Sequence, residues 1–378
     1  MIDYRELMTI LSVPRPNGSP AEGITRRALT AWLERKGIPY QLQPFKKFPF
    51  FFDCLGVWLI LSRGLLALAI WLRWGCMSVP IALLGSIGGT LNYVFNWPLA
   101  TWISARREGN ILVRFGPLNP DREVILCAHY DTKTELLDHR QRTFFLKALP
   151  WGIALTLLLG ALGPLERWLA LRVSPWADLV YWSAVVLTVS LLFLAWGLGL
   201  NLSLGRLLKP SQRAVDDGAA CAVLLGLAAR LAQGEIVLQG TRVTLALFAG
   251  EEVNMQGSRA YLSGSEWSLP SAAVNLEVMA QDGDYVYWEQ DGSALRLLPT
   301  SQRLNRALCK AVRTVTGSAA QPAGPVLSDG GSFLSAGIPA TTLGTYDSRP
   351  KDTGFHRPTD NPDRVVMARL PEGVEILA

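Results

Sequence analysis

Two pairs of apolar stretches constrain the fold most, because each pair interrupts sequence that reads as a water-soluble α/β domain. Residues 74–105 and 179–205 carry no charged side chain, and neither do residues 148–165. Residues 51–72 carry only Asp53 and Arg63. About 20 apolar residues suffice to cross a bilayer as a helix. The four stretches therefore predict two transmembrane helical hairpins, at 51–105 and 146–206. Arg63 opposes the first, since an arginine at mid-membrane costs about 2.5–3.5 kcal/mol on insertion scales. Residues 148–165 are barely long enough for the second.

Composition agrees with this division. Of 378 residues, 49% are apolar and only 18% are charged, and 13 are Trp. The mean hydropathy is +0.22. The net charge of +5 is no nucleic-acid signal, because many of the basic residues flank the apolar stretches, as expected beside a membrane. Five scattered cysteines without a Cys-x-x-Cys pair predict no disulfide framework. The opening Met1-Ile-Asp-Tyr-Arg-Glu lacks the pattern of a cleavable signal peptide.

The remaining sequence alternates strand-like and helix-like runs. Helical spacing occurs at 4–11, 21–36, 219–231 and 300–314; β-like runs occur at 40–43, 111–115, 123–128, 242–248, 272–280 and 339–343. The alternation predicts an α/β three-layer sandwich around a mostly parallel mixed sheet. Its parts would be residues 1–50, 106–145 and 207–378, each hairpin leaving this domain and returning to it.

Four ordered islands carry the candidate chemistry: Cys127-Ala-His-Tyr-Asp131, Ala214-Val-Asp-Asp-Gly-Ala-Ala220, Ala249-Gly-Glu-Glu252 and Gly354-Phe-His-Arg-Pro-Thr-Asp360. A fifth, Asn275-Leu-Glu277, lies between the last two, and two of the chain's three histidines fall in these islands. Each alone has an ordinary reading. His129-x-Asp131 could be a loop, Asp216-Asp217 a helix cap, and Glu251-Glu252 a solvated pair. Together they match a larger requirement. A two-metal hydrolytic site needs a bridging carboxylate, a nitrogen and a carboxylate on each metal, and a free carboxylate as base. The islands supply that set with one residue left to orient a histidine.

In order and local text the islands resemble the aminopeptidase Y family of co-catalytic zinc exopeptidases, itself similar to bacterial leucyl aminopeptidases and glutamate carboxypeptidase II. Further matching text is Gly257-Ser258, Ser328-Asp329, Gly337-Ile-Pro-Ala340 and the opening Leu11-Ser-Val-Pro-Arg-Pro-Asn-Gly-Ser19. The resemblance does not cover the apolar hairpins. It implies two Zn²⁺, or another divalent metal, with Asp216 bridging, His129 and Glu277 on one ion, and Glu252 and His356 on the other. It makes Glu251 the general base toward a metal-bridging water, and Asp131 the residue that orients His129. It also implies a cis peptide between Asp216 and Asp217. The expected function is a membrane-anchored metallopeptidase acting on a peptide substrate, an aminopeptidase before a carboxypeptidase.

Three other readings stay open: an inactive peptidase-like binding module, a single-zinc acyl transferase of the glutaminyl-cyclase type, and a transport protein with a regulatory peptidase-like part. The expected partner beyond the substrate is a lipid bilayer. Near the hairpins, Lys46, Lys47, Arg106, Arg107, Arg140, Arg142, Lys147, Arg206, Lys209 and Arg213 lie toward the domain, against Arg73, Arg167 and Arg172 on the far side. The positive-inside rule then places the domain in the cytoplasm.

Overall fold

The computed structural model describes residues 2–95, 105–117, 119–264, 270–346 and 354–378. In chain order the elements are α1 (Tyr4–Leu11), α2 (Pro20–Arg35), β1 (Gln41–Lys47), α3 (Phe51–Trp71), α4 (Gly75–Phe95), β2 (Arg106–Phe115), β3 (Arg122–His129), α5 (His139–Leu171), α6 (Trp176–Leu204), α7 (Ala220–Ala232), β4 (Thr241–Phe248), α8 (Gln256–Ser263), β5 (Ala272–Glu277), β6 (Asp284–Ser293), β7 (Arg296–Pro299), α9 (Gln302–Thr316), β8 (Gln321–Val326), α10 (Asp329–Ser335), β9 (Ala340–Tyr346) and α11 (Arg369–Leu377). They form two compact units, each discontinuous in sequence. One comprises Met1–Pro49, Ala105–Thr134 and Lys209–Ala378; the other comprises Phe50–Ser104 and Glu135–Leu208.

The first unit is built on a nine-stranded sheet of order β1-β2-β4-β3-β5-β9-β6-β7, with β8 on β6. The expectation of a mostly parallel sheet needs correcting. The central run β4-β3-β5-β9 is parallel, but the ladders flanking it, β1–β2, β2–β4, β6–β9 and β6–β7, are antiparallel. Parallel strands need helical crossovers, which the chain supplies in the middle of the sheet and, through α9, between the parallel pair β6 and β8. Strand alternation divides the core. Leu126, Ala128, Leu245 and Leu247 pack with the helices α1, α2, α7 and α11. Ile125, Cys127, Ala246 and Phe248 face Tyr261 of α8 and Phe333 of α10. Helices thus cover both faces. Local signals set their starts: Asp3 accepts from the N–H groups of Arg5 and Glu6 to open α1, and Ser19 caps α2 ahead of Pro20.

The second unit consists of α3, α4, α5 and α6. Length and apolar composition suffice for a membrane crossing in Phe51–Trp71, His139–Leu171 and Trp176–Leu207; the remaining apolar helix, Gly75–Leu91, is shorter. The part of the expected first hairpin at 96–104 lies outside the described residues. Helix α5 has 33 residues, not the 18 of its uncharged run, and starts upstream of residue 146, because Asp138 and Gln141 form a reciprocal capping box. Arg63 turns into the bundle, where Nη1 donates to Ser62 Oγ at 2.7 Å and to the Gly85 carbonyl at 2.8 Å. Small residues allow close helix approach: a Cβ on Gly56 would lie 2.5 Å from the Gly199 carbonyl oxygen. Arg73 pairs with Glu166 at 3.2 Å and Asp178 at 2.8 Å.

Candidate metal centre

The candidate residues gather at the carboxyl ends of the parallel strands, where open α/β sheets bind ligands. His129 ends β3, Glu277 ends β5, and Glu251 and Glu252 follow β4. Gly250 makes the turn after β4 at φ +74°, a conformation costly for other residues. Asp216 comes from the irregular turn before α7, and His356 from the loop before α11.

All seven sequence-predicted residues lie in one pocket. His129 Nε2 is 3.4 Å from Asp216 Oδ1, 3.8 Å from Glu251 Oε2 and 3.8 Å from Glu277 Oε1. His129 Nδ1 is 3.5 Å from Asp131 Oδ1. His356 Nε2 is 3.4 Å from Glu252 Oε1 and 3.7 Å from Asp216 Oδ2. Three groups hold ligand atoms within 4.8 Å of one another: His129 with Asp217 and Glu277, His129 with Glu251 and Glu252, and Asp216 with Glu252 and His356. The Asp216–Asp217 peptide is cis.

Asp131 organises one wall. Its carboxylate accepts from the N–H groups of Gly250, Glu251 and Glu252 at 2.8–3.1 Å and from Asn17 Nδ2 at 2.6 Å. Burial alone would raise its pKa, but His129, Lys47 and Asn17 outweigh burial and hold it at about 2. Burial alone would likewise lower the His129 pKa, but Glu251, Asp131, Asp216 and Glu277 drive it well up. Burial pushes the Glu251 pKa far above the usual carboxylate range, and Glu277 adds to the rise.

This pocket fits a metal cation. His129 Nε2 and Asp216 Oδ1 are buried without a hydrogen-bond partner. Buried polar atoms are rarely left so, and a divalent ion bound by imidazole and carboxylate would satisfy them. One corner differs. The guanidinium of Arg213 lies in contact with Asp216 Oδ2 and Glu252 Oε1. It makes an ion pair with each, through Nη2 to Asp216 and Nη1 to Glu252.

Several residues here escaped sequence reasoning. Arg213 reads in sequence as one more basic residue beside a hairpin; its clue is its place three residues before Asp216. Lys47 is likewise buried, its Nζ on Glu22. Neither contributes exposed charge, which removes two of the ten domain-side basic residues. Asn17 lay in a matching turn without a role. Asp360 receives the N–H groups of Val215 and Asp216 at 2.9 and 3.1 Å, so it fixes the Asp216 turn. Asp217 ties strand ends together, accepting from His129 N–H and Val278 N–H, each at 3.2 Å.

Comparison with known proteins gives a family match over part of the chain and likenesses of fold. Residues 204–376 match the profile of peptidase family M28. The fold is similar to that of a Zn-dependent exopeptidase from Parabacteroides distasonis at 13% identity and TM-score 0.55, covering 99% of this chain and 94% of the other. It is similar to Fimbriiglobus ruber glutaminyl cyclase at 17% identity and TM-score 0.53, covering 99% and 93%. It is also similar to the LapA aminopeptidase of Legionella pneumophila at 12% identity and TM-score 0.53, covering 99% and 68%. A sequence search of curated proteins finds no match.

Proposed function

We propose that this chain is a zinc-dependent peptidase, an aminopeptidase by preference, anchored in a membrane by its four apolar helices. The observation that carries this reading is the convergence of His129, Asp216, Glu252, Glu277 and His356, with His129 Nε2 and Asp216 Oδ1 buried without a hydrogen-bond partner. Asp216 lies between the two histidines; with His129 and Glu277 on one side and Glu252 and His356 on the other, it would hold the zinc. Bound zinc supplies Lewis acidity that polarises a carbonyl and makes water acidic near neutral pH. Asp131 holds the His129 ring by Nδ1, leaving Nε2 toward the pocket. Glu251 takes the proton from water as it attacks the peptide carbonyl and passes it to the leaving amine.

The membrane reading is supported by the apolar surface of the helices. Leu61, Leu65, Trp71, Trp151, Val186, Val189 and Phe193 are all more than half exposed. A water-facing bundle would not leave such a patch bare.

Metal analysis of the purified full chain in detergent, together with hydrolysis of aminoacyl-arylamides, tests the proposal. Zinc with arylamine release is expected, abolished by chelation and restored by zinc. Zinc-bound protein that cyclises an N-terminal glutamine without releasing arylamine would favour the acyl-transfer alternative. Metal-free, inactive protein would favour a binding module.

A further inference from the structure

Arg213 is fixed from every side. Its backbone adopts the left-handed conformation, φ +47° and ψ +52°, which disfavours non-glycine residues. Surrounding bonds impose that conformation. Its N–H donates to the Asp360 carbonyl at 3.1 Å, and its own carbonyl accepts from Gly218 N–H at 3.3 Å and from Arg15 Nη2 at 3.2 Å. Its Nε donates to the Asp216 carbonyl at 2.5 Å. The side chain is 1% exposed. Its terminal nitrogens therefore have one place to go, against Asp216 Oδ2 and Glu252 Oε1.

Those two carboxylates, with His356, also form one of the groups that could hold a metal ion. A guanidinium and a divalent ion are thus offered the same oxygens. Guanidinium cannot leave by losing its proton, since arginine stays protonated in proteins. The opposite corner has no such occupant. Among the described residues, Glu251 and Glu277 have only His129 as an ion-pair partner.

We propose that Arg213 is a tethered counter-cation for the Asp216–Glu252–His356 corner. The chain then takes one zinc tightly, at the His129 corner, and a second only by displacing the guanidinium. This inference rests on the zinc reading above and assigns the two metal places unequal affinity.

The experiment is zinc titration of chelator-stripped, full-length protein in detergent, with bound metal counted by elemental analysis. Wild type is expected to hold one tight equivalent, with a second at least about tenfold weaker. Arg213→Met and Arg213→Gln, which remove the charge, are expected to hold two tight equivalents. Arg213→Lys keeps a cation and should stay near one. His129→Ala should remove the tight equivalent from the wild-type background. Two equally tight equivalents in wild type overturn the inference while leaving the zinc reading intact, whether or not the variants fold. One equivalent in wild type and in both folded neutral variants also overturns it. No zinc in any protein overturns both the inference and the zinc reading.

Discussion

Glu251 is held from two directions. Its N–H donates to Asp131, and its carboxylate faces His129. Glu251→Gln preserves size and the backbone bond but removes the proton acceptor. It should keep the zinc content of wild type and lose about 10²–10⁴-fold in hydrolysis; near-normal turnover by the zinc-loaded variant would remove Glu251 from its role. A stability prediction attaches to Lys47. Its side chain and that of Glu22 are fully buried and paired, with Glu108 Oε2 at 3.8 Å from Nζ. Lys47→Met strands the Glu22 carboxylate and should cost about 3–5 kcal/mol. Denaturant unfolding measures this, and a loss under about 1 kcal/mol would mean the pair carries little. The contrast between these residues explains what sequence reveals. Glu251, His129 and His356 are legible because their chemistry is scarce and their neighbours in sequence are distinctive. Arg213, Asn17 and Asp360 act through partners that only the fold brings close, such as Asn17 on Asp131, so sequence gave them no role even where, as for Asn17 and Asp360, they fall inside a matching motif.

At the scale of elements, β6, α10 and β9 meet around Asp291. This carboxylate is buried and accepts from Ser328 N–H at 3.0 Å, Gly292 N–H at 2.7 Å, Ser328 Oγ at 2.5 Å and Thr342 Oγ1 at 2.8 Å. Burial outweighs these donors and lifts its pKa to about 7, against about 3.9 in an unfolded chain. The folded state therefore keeps a proton that the unfolded chain gives up. Asp291 contributes its full stability below about pH 4 and loses it progressively as pH rises to about 7. Relative to Asp291→Asn, wild type should weaken steadily over that window and level off above it. Parallel stability curves for the two proteins, from pH 4 to 8, would show that Asp291 does not titrate this way. Of these elements β9 was legible, as the run 339–343, whereas β6 and α10 were not. The central strands β3, β4 and β5 are short apolar runs and read directly. Strand β8, Gln321-Pro-Ala-Gly-Pro-Val326, carries two prolines and a glycine, residues that suppress any strand assignment. It exists because its partner β6 supplies the parallel ladder, a long-range cause that local sequence does not carry.

At the scale of the molecule, the hairpins fix a parity. His129 and Asp216 are in one pocket, although the stretch Glu135–Leu208 lies between them, so any crossings between them must be even in number. With Lys47 and Arg213 buried, eight basic residues still lie on the domain side against three on the far side. We therefore expect four spans with the α/β unit in the cytoplasm. In intact cells lacking the exposed Cys76, a cysteine placed at Ser174 should react with an impermeant reagent, and one at Ser318 should not. The reverse pattern would invert the orientation, and protection of both would indicate re-entrant hairpins.

The discontinuity of both units also imposes an order in time. A ribosome releases His129 and Asp131 first, then the long helices α5 and α6, and only afterwards Asp216, Glu252, Glu277 and His356. His129 and Asp217, joined by a hydrogen bond in the finished protein, are 88 residues apart in the chain. The nascent protein therefore carries His129 and Asp131 through the synthesis of α5 and α6 before the rest of the pocket follows. Its capacity to hold a metal arises last, so a chain arrested partway through its apolar part is a chain without a metal pocket.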